Sequence, residues 1–213
     1  LDADRDGLGA VQQAQLLALE AEAFGLENRA QEAAEACAAC AAAYEKLRRP
    51  VDAAEAILEG ILYRVRASDV DLADLQEELF RAERLLGDGG AHRSLLPHAR
   101  GQLAQHARTY DQARSSFDEA ISVADASGQR EWLWRARAAR AALLEATGEV
   151  AAAAEDRRQA LVLLEEIARM LPRDLREVYW NHPRRKALRG GQDQTRSDTT
   201  LAVTSRPPGS GPE

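Results

Sequence analysis

The sequence predicts an all-α protein built as a repeat of antiparallel helical hairpins. Three observations carry that prediction. The composition is apolar but only 5% aromatic, with much of the apolar share in Ala, a strong helix former with a small side chain. Apolar residues recur at helical spacing, and runs with period two are missing, so no strand is predicted. The pattern Ala113, Phe117, Ala120, Ile121 returns forty residues later as Ala153, Arg157, Ala160, Leu161, with Gly128 and Gly148 as corners in the stretch from Thr109 to Leu171.

In chain order, residues 1–10 are polar and expected to fray. A first helix spans Val11 to Phe24, with Gly25 as its stop. Asn28 is the expected cap of a second helix, with Gln31 completing a near capping box. Its stripe is Ala30, Ala33, Ala34, Cys37, Cys40, Ala41, Tyr44, Leu47. Pro50 opens a third helix, where its fixed φ suits the first turn; Val51, Ala54, Leu58, Ile61, Leu62 and Val65 follow. Ser68 caps a fourth, with Leu72, Leu75, Leu79, Ala82 and Leu86 on one face, ended by the glycines after Leu86. The fifth runs from Ser94 to Ala107, with Pro97 in its first turn. Thr109 and Gln112 form a capping box for the sixth, which Gly128 closes. The seventh carries Trp132, Ala136, Ala139 and Leu143 and ends at Gly148. The eighth runs from Val150 to Leu171 and stops at Pro172.

Short connections make neighbouring helices antiparallel. The expected units are 11–47, 50–87, 94–128 and 130–171, each about forty residues long. One hairpin cannot bury its apolar face alone; stacked hairpins can. A repeat domain over 11–189 is therefore expected, with a cap over 173–189 and a disordered Gly/Ser/Thr/Pro tail or linker over 190–213.

These residues resemble the tetratricopeptide repeat. Ala113-x-x-x-Phe117-x-x-Ala120 matches the family's second-helix signature, and Gly101 falls at the small position of the first helix. Gly148, Ala153 and Ala160 fill the corner and small positions of the fourth unit. Gly25, Ala30 and Cys37 fill those of the first. In the second, Ala73 and Phe80 keep the phase but Glu77 does not suit a core site. The unit is about forty residues against the family's 34, the first-helix Trp-Leu-Gly signature is largely missing, and Arg157 stands where Phe117 stood. The resemblance implies a right-handed superhelix of about four hairpins that binds a protein or peptide. Residues Leu171 to Arg185 are similar to segments that close such arrays in large bacterial regulators, either serine/threonine kinases or enhancer-binding transcription activators. There, Leu175, Val178 and Tyr179 are expected to cover the open end of the last hairpin. Arg157 is expected to be partly exposed.

The formal charge of −7 is uneven: 1–172 carries −10, 173–189 carries +4 and 190–213 carries −1. An acidic body lacks the clustered positive charge that phosphate neutralisation needs, so no nucleic-acid partner is expected. No apolar run is long enough for a transmembrane helix, and no membrane partner is expected. With no basic n-region at the start, a bacterial-type cytoplasm is the expected compartment. The chain does not begin with Met, and a fragment of a larger regulator is expected.

Cys37-Ala-Ala-Cys40 could be a redox or zinc motif. Zinc needs about four ligands, and the four His are remote in sequence. Both Cys lie on the apolar stripe, and core packing is the reading. Arg135, Arg137, Arg140, Arg157 and Arg158 could form an anion-binding groove, or pair with Glu131, Glu145, Glu155 and Asp156 on a solvated face. The basic run Arg184-Arg185-Lys186 beside Trp180 could touch nucleic acid or acidic lipid, or be a basic capping segment. Trp132 and Trp134 cannot share one helix face, so one packs inside and the other is a contact residue. In the implied superhelix the first helices line the groove. The partner-binding candidates are accordingly His98, Gln102, Gln105, Trp134 and Arg135. No phosphate loop, nucleophile elbow, metalloprotease motif or kinase signature occurs. A non-catalytic scaffold without cofactor or metal is expected.

Overall fold

The computed structural model describes residues 9–66, 70–87 and 94–189. Among these the chain is helical throughout, without strands: α1 (Ala10–Leu26), α2 (Ala30–Lys46), α3 (Pro50–Arg64), α4 (Leu72–Leu86), α5 (Leu95–His106), α6 (Tyr110–Ala126), α7 (Arg130–Ala146), α8 (Val150–Met170), α9 (Arg173–Asn181) and a short α10 over 183–189. All eight expected repeat helices are present. The chain divides into two compact units, Leu1–Ala160 and Leu161–Glu213.

In the first unit each helix from α1 to α6 packs on its successor. α3 also packs on α5, and α5 on α7. Five corners among the described residues share one device. The residue after the C-cap takes a left-handed conformation, and two amide N–H groups turn back onto orphan carbonyls of the last turn. Asn28, at φ 60°, donates to Gly25 O at 3.3 Å while Arg29 donates to Phe24 O at 2.9 Å. The same pair of bonds recurs at Arg48, Arg108, Gly128 and Gly148. These corners lie at multiples of twenty residues, and six helices start at 10, 30, 50, 110, 130 and 150. The forty-residue period therefore contains two nearly equivalent helix-plus-corner halves.

Several local expectations change. Gly25 is not the corner; it lies within α1, and a Cβ there would come 2.5 Å from Tyr63 Cε1. Its smallness serves packing of α1 against α3. Asn28 does not cap α2: it is the left-handed corner residue, and Arg29 takes the cap position without a side-chain cap bond. The Thr109–Gln112 capping box does not form, because the Thr109 hydroxyl donates backward to Ala104 O at 3.1 Å. Ser68 lies outside the described residues. α4 is instead capped by Asp71, whose carboxylate accepts from the amides of Ala73 and Asp74.

The weak second unit has a physical explanation. Ala73 and Phe80 keep the forty-residue phase but are exposed, while Leu75 and Ala82, two positions on, are fully buried. α4 has slipped two residues, and the phase returns by the corner at Arg108. In the third and fourth units the small and aromatic repeat positions Ala113, Phe117, Ala120, Ala153 and Ala160 have no exposure.

Small residues set the helix separations. Gly101 on α5 faces the ring of Phe117 on α6, and Gly60 on α3 faces Cys37 on α2, 3.2 Å from where its Cβ would stand. Cys37 and Cys40 are both buried as free thiols, and Cys40 Sγ donates to Ala14 O at 3.3 Å. Burial pushes the Cys37 thiol up to about 12 and that of Cys40 to about 11.

In the second unit, α9 buries no residue. The Arg176 guanidinium caps the end of α8, donating to Leu171 O at 3.1 Å and Arg169 O at 3.3 Å. The expected covering role of Leu175 and Val178 is not met: both are exposed, at 48% and 70%. Arg185 stacks on Tyr179 at 3.9 Å and donates to its carbonyl, and Arg189 lies over Trp180. The tail over 190–213 lies outside the described residues.

Candidate functional site

The polar cluster with the widest reach lies on the first-helix series α3, α5 and α7. Its centre is Arg135 on α7. The guanidinium takes Glu131, one turn earlier, through Nε at 3.1 Å, and Glu59 of α3 through Nη1 at 3.6 Å. It also lies 4.7 Å from the Trp132 ring centroid and 5.9 Å from that of Trp134. Trp134 Nε1 donates to the other oxygen of Glu131 at 2.9 Å. Trp132 in turn packs on His98 of α5, with ring centroids 5.8 Å apart, and Phe117 lies equally close on another side of His98. Three helices thus place two carboxylates, one guanidinium and three aromatic rings in one contact chain.

Local sequence explains part of this arrangement. Glu131 and Arg135 are four apart, so they meet on one helical face in the favourable Glu-before-Arg order. Trp132 and Trp134 point to different sides, yet Arg135 is long enough to lie over both. Joining α7 to Glu59 needs the packing of α3 on α5 and α5 on α7.

Of the expected contact residues, the structure brings together His98, Trp134 and Arg135. His98 is 6% and Trp134 3% exposed, so neither offers its ring as a surface in this conformation. The choice of Trp134 as the outward member of the pair is corrected: Trp132 is half-buried and Trp134 is inside. Arg135 keeps partial access, with 19% of its side chain exposed. Gln102 and Gln105 are half-buried further along α5, and the contacts that join the cluster run through Trp132 instead. Glu59 and Trp132 were missed as contact candidates. Glu59 has no local signal, since its partner is 76 residues away.

A second network ties α6, α7 and α8. Asp156, almost wholly buried, accepts from Arg140 Nε at 2.6 Å and Nη2 at 2.7 Å, and from Arg137 at 3.2 Å. Arg140 also reaches Asp118 at 2.6 Å. Hydrogen bonding to Asp156, then to Asp118, raises the Arg140 pKa against the opposing effect of burial. Arg157 pairs with Glu145 and Arg158 with Glu155, so all five arginines of the possible anion groove have acidic partners. Arg157 keeps 20% of its side chain exposed. The Arg158 bond holds the Glu155 carboxyl down at about 2.

Among the described residues, no group of three or more His, Cys, Asp and Glu could hold a metal ion, and no helix is long and apolar enough to cross a membrane. No family model matches the chain, and no curated protein matches it.

Proposed function

We propose that the chain is a non-catalytic scaffold of tetratricopeptide-like hairpins, arranged as a right-handed superhelix, that binds a protein or peptide through its first-helix series. The carrying observation is the chain of contacts from Glu59 through Arg135 and Trp132 to His98. Corners at twenty-residue multiples and the packing of α3 on α5 and α5 on α7 support the repeat reading. A surface that mixes a half-exposed Trp with carboxylates and an Arg has the residue types that anchor interfaces. The contact surface is Trp132, Arg135, Glu59 and Glu131; Gln102 and Gln105 extend it along α5. We propose further that the scaffold is a sensory or relay segment of a larger bacterial cytoplasmic regulator, a kinase or transcription activator; the support is the sequence likeness of Leu171 to Arg185 alone, since Leu175 and Val178 cover no hairpin.

Selection of random peptides on the full chain tests this reading. Selected peptides should bind with tryptophan fluorescence changes, and Trp132→Ala and Glu59→Gln should each weaken them at least about tenfold, roughly 1.4 kcal/mol. Peptides whose affinity ignores both substitutions would refute the assignment of the face. Failure to enrich any peptide would refute peptide binding itself.

A further inference from the structure

The second unit carries a surface that the scaffold reading does not use. Met170, Leu175 and Val178 fall within nine residues and are 66%, 48% and 70% exposed. On α9, Leu175 and Val178 are three apart and share one face, with Tyr179 beside them. The opposite face holds Arg173 and Arg176, and Arg176, itself exposed, reaches back to the carbonyls at the end of α8.

The surroundings of this apolar ridge are basic. Between 161 and 189 there are seven basic and four acidic residues; Arg184, Arg185, Lys186 and Arg189 follow α9, while Asp174, four before Val178, lies on the side of the ridge. Arg185 lies on the Tyr179 ring at 3.9 Å, which brings one of these charges to the border of the ridge. Lys186 and Arg189 are exposed in α10. Tyr179 adds an amphipathic ring to the ridge, while Trp180, half-buried and edge-on against it, falls on the opposite face of α9. Aliphatic residues with a basic border and a Tyr ring match helices that lie in a lipid headgroup layer. Nucleic acid would use the cations but would leave Leu175, Val178 and Met170 in water.

We infer that α9, α10 and the end of α8 form a peripheral docking surface for an anionic phospholipid bilayer. The ridge enters the headgroup layer and the Arg/Lys border takes the lipid phosphates. This departs from the expectation of no membrane partner; the body of the chain remains acidic, so only this segment is attracted. Each Lys or Arg near such a surface raises partitioning about fivefold, and the attraction fades within a Debye length.

Co-sedimentation of the full chain with vesicles of phosphatidylcholine, with and without phosphatidylglycerol, tests the inference. The chain should pellet with the anionic vesicles only, and about 1 M salt should release it. Arg184→Gln with Lys186→Gln should lower the partition coefficient about 30-fold. Leu175→Ser with Val178→Ser, at sites already exposed, should keep the circular dichroism spectrum and lower partitioning at least about tenfold. Equal binding to both vesicle types overturns the inference. So does parental binding by either double variant. Tighter binding to a single-stranded oligonucleotide, insensitive to the serine variant, would also overturn it in favour of phosphate recognition alone.

Discussion

Gly101 lets α5 approach α6, and its replacement by Ala measures how tightly the third hairpin is packed. A Cβ at Gly101 would stand 2.5 Å from Phe117 Cε1, 2.6 Å from Cδ1 and 3.0 Å from Cζ. Comfortable carbon–carbon separations are about 3.5–4.0 Å, so relief requires a shift of about 1 Å. The Phe117 ring has no exposure and cannot swing into solvent; α5 and α6 must separate. Overpacking of this kind costs about 1–3 kcal/mol. Ala in place of Gly inside a helix returns about 1 kcal/mol. The expected balance for Gly101→Ala is a loss of up to about 2 kcal/mol, or several degrees in Tm for a chain of this size. Urea unfolding followed by circular dichroism gives the value. Adding Phe117→Leu should make the Ala cheaper, so the double-mutant cycle should show a positive coupling. A gain near 1 kcal/mol for Gly101→Ala alone, with no coupling, would show that the helices do not meet at this point.

Asp156→Ala should cost about 2–3 kcal/mol, below the 3–5 typical of a broken buried pair because Arg140 keeps Asp118. The exposed Asp118→Ala should cost under about 1 kcal/mol, and equal losses in urea titrations would contradict the buried network. Gly128→Ala and Gly148→Ala place a Cβ at φ 66° and 87° and should each cost about 1 kcal/mol. Neither glycine has a neighbour within 4 Å of that Cβ, so a larger loss would point to a contact that the corner does not make. The buried thiols should react slowly with a disulfide reagent at neutral pH and quickly after unfolding. Because Cys37 is raised from 9.0 to about 12 when folded, its contribution to stability is present below about 9 and is lost as pH rises towards 12. In Cys37→Ala with Cys40→Ala, that part of the alkaline loss should vanish; an unchanged profile from pH 9 upward would refute the assignment.

Helix content, element order and the forty-residue period were legible in the sequence because each is a local or periodic property. Ala-rich stripes bury one face, and Gly or Asn after a helix end supplies a left-handed residue at small cost. Even so, two of the five corners use Arg48 and Arg108, residue types that carry no turn signal. Only the pair of backbone bonds that they share with Asn28, Gly128 and Gly148 marks them as corners. Gly25 shows the converse: a residue type suited to a corner serves a packing contact with Tyr63 instead. Glu131 and Arg135 could be paired from their spacing, and Asp156 was among the expected acidic partners. Which Trp faces inward, the slip of α4 and the ion pair of Arg135 with Glu59 were decided by tertiary packing. Each depends on how far one helix rotates and approaches another, which is settled by side chains distant in sequence. The sequence by itself determined an all-α chain of repeated helices with an acidic body and a basic C-terminal segment. The tertiary structure decided which polar residues share a surface, and that Leu175 and Val178 remain uncovered.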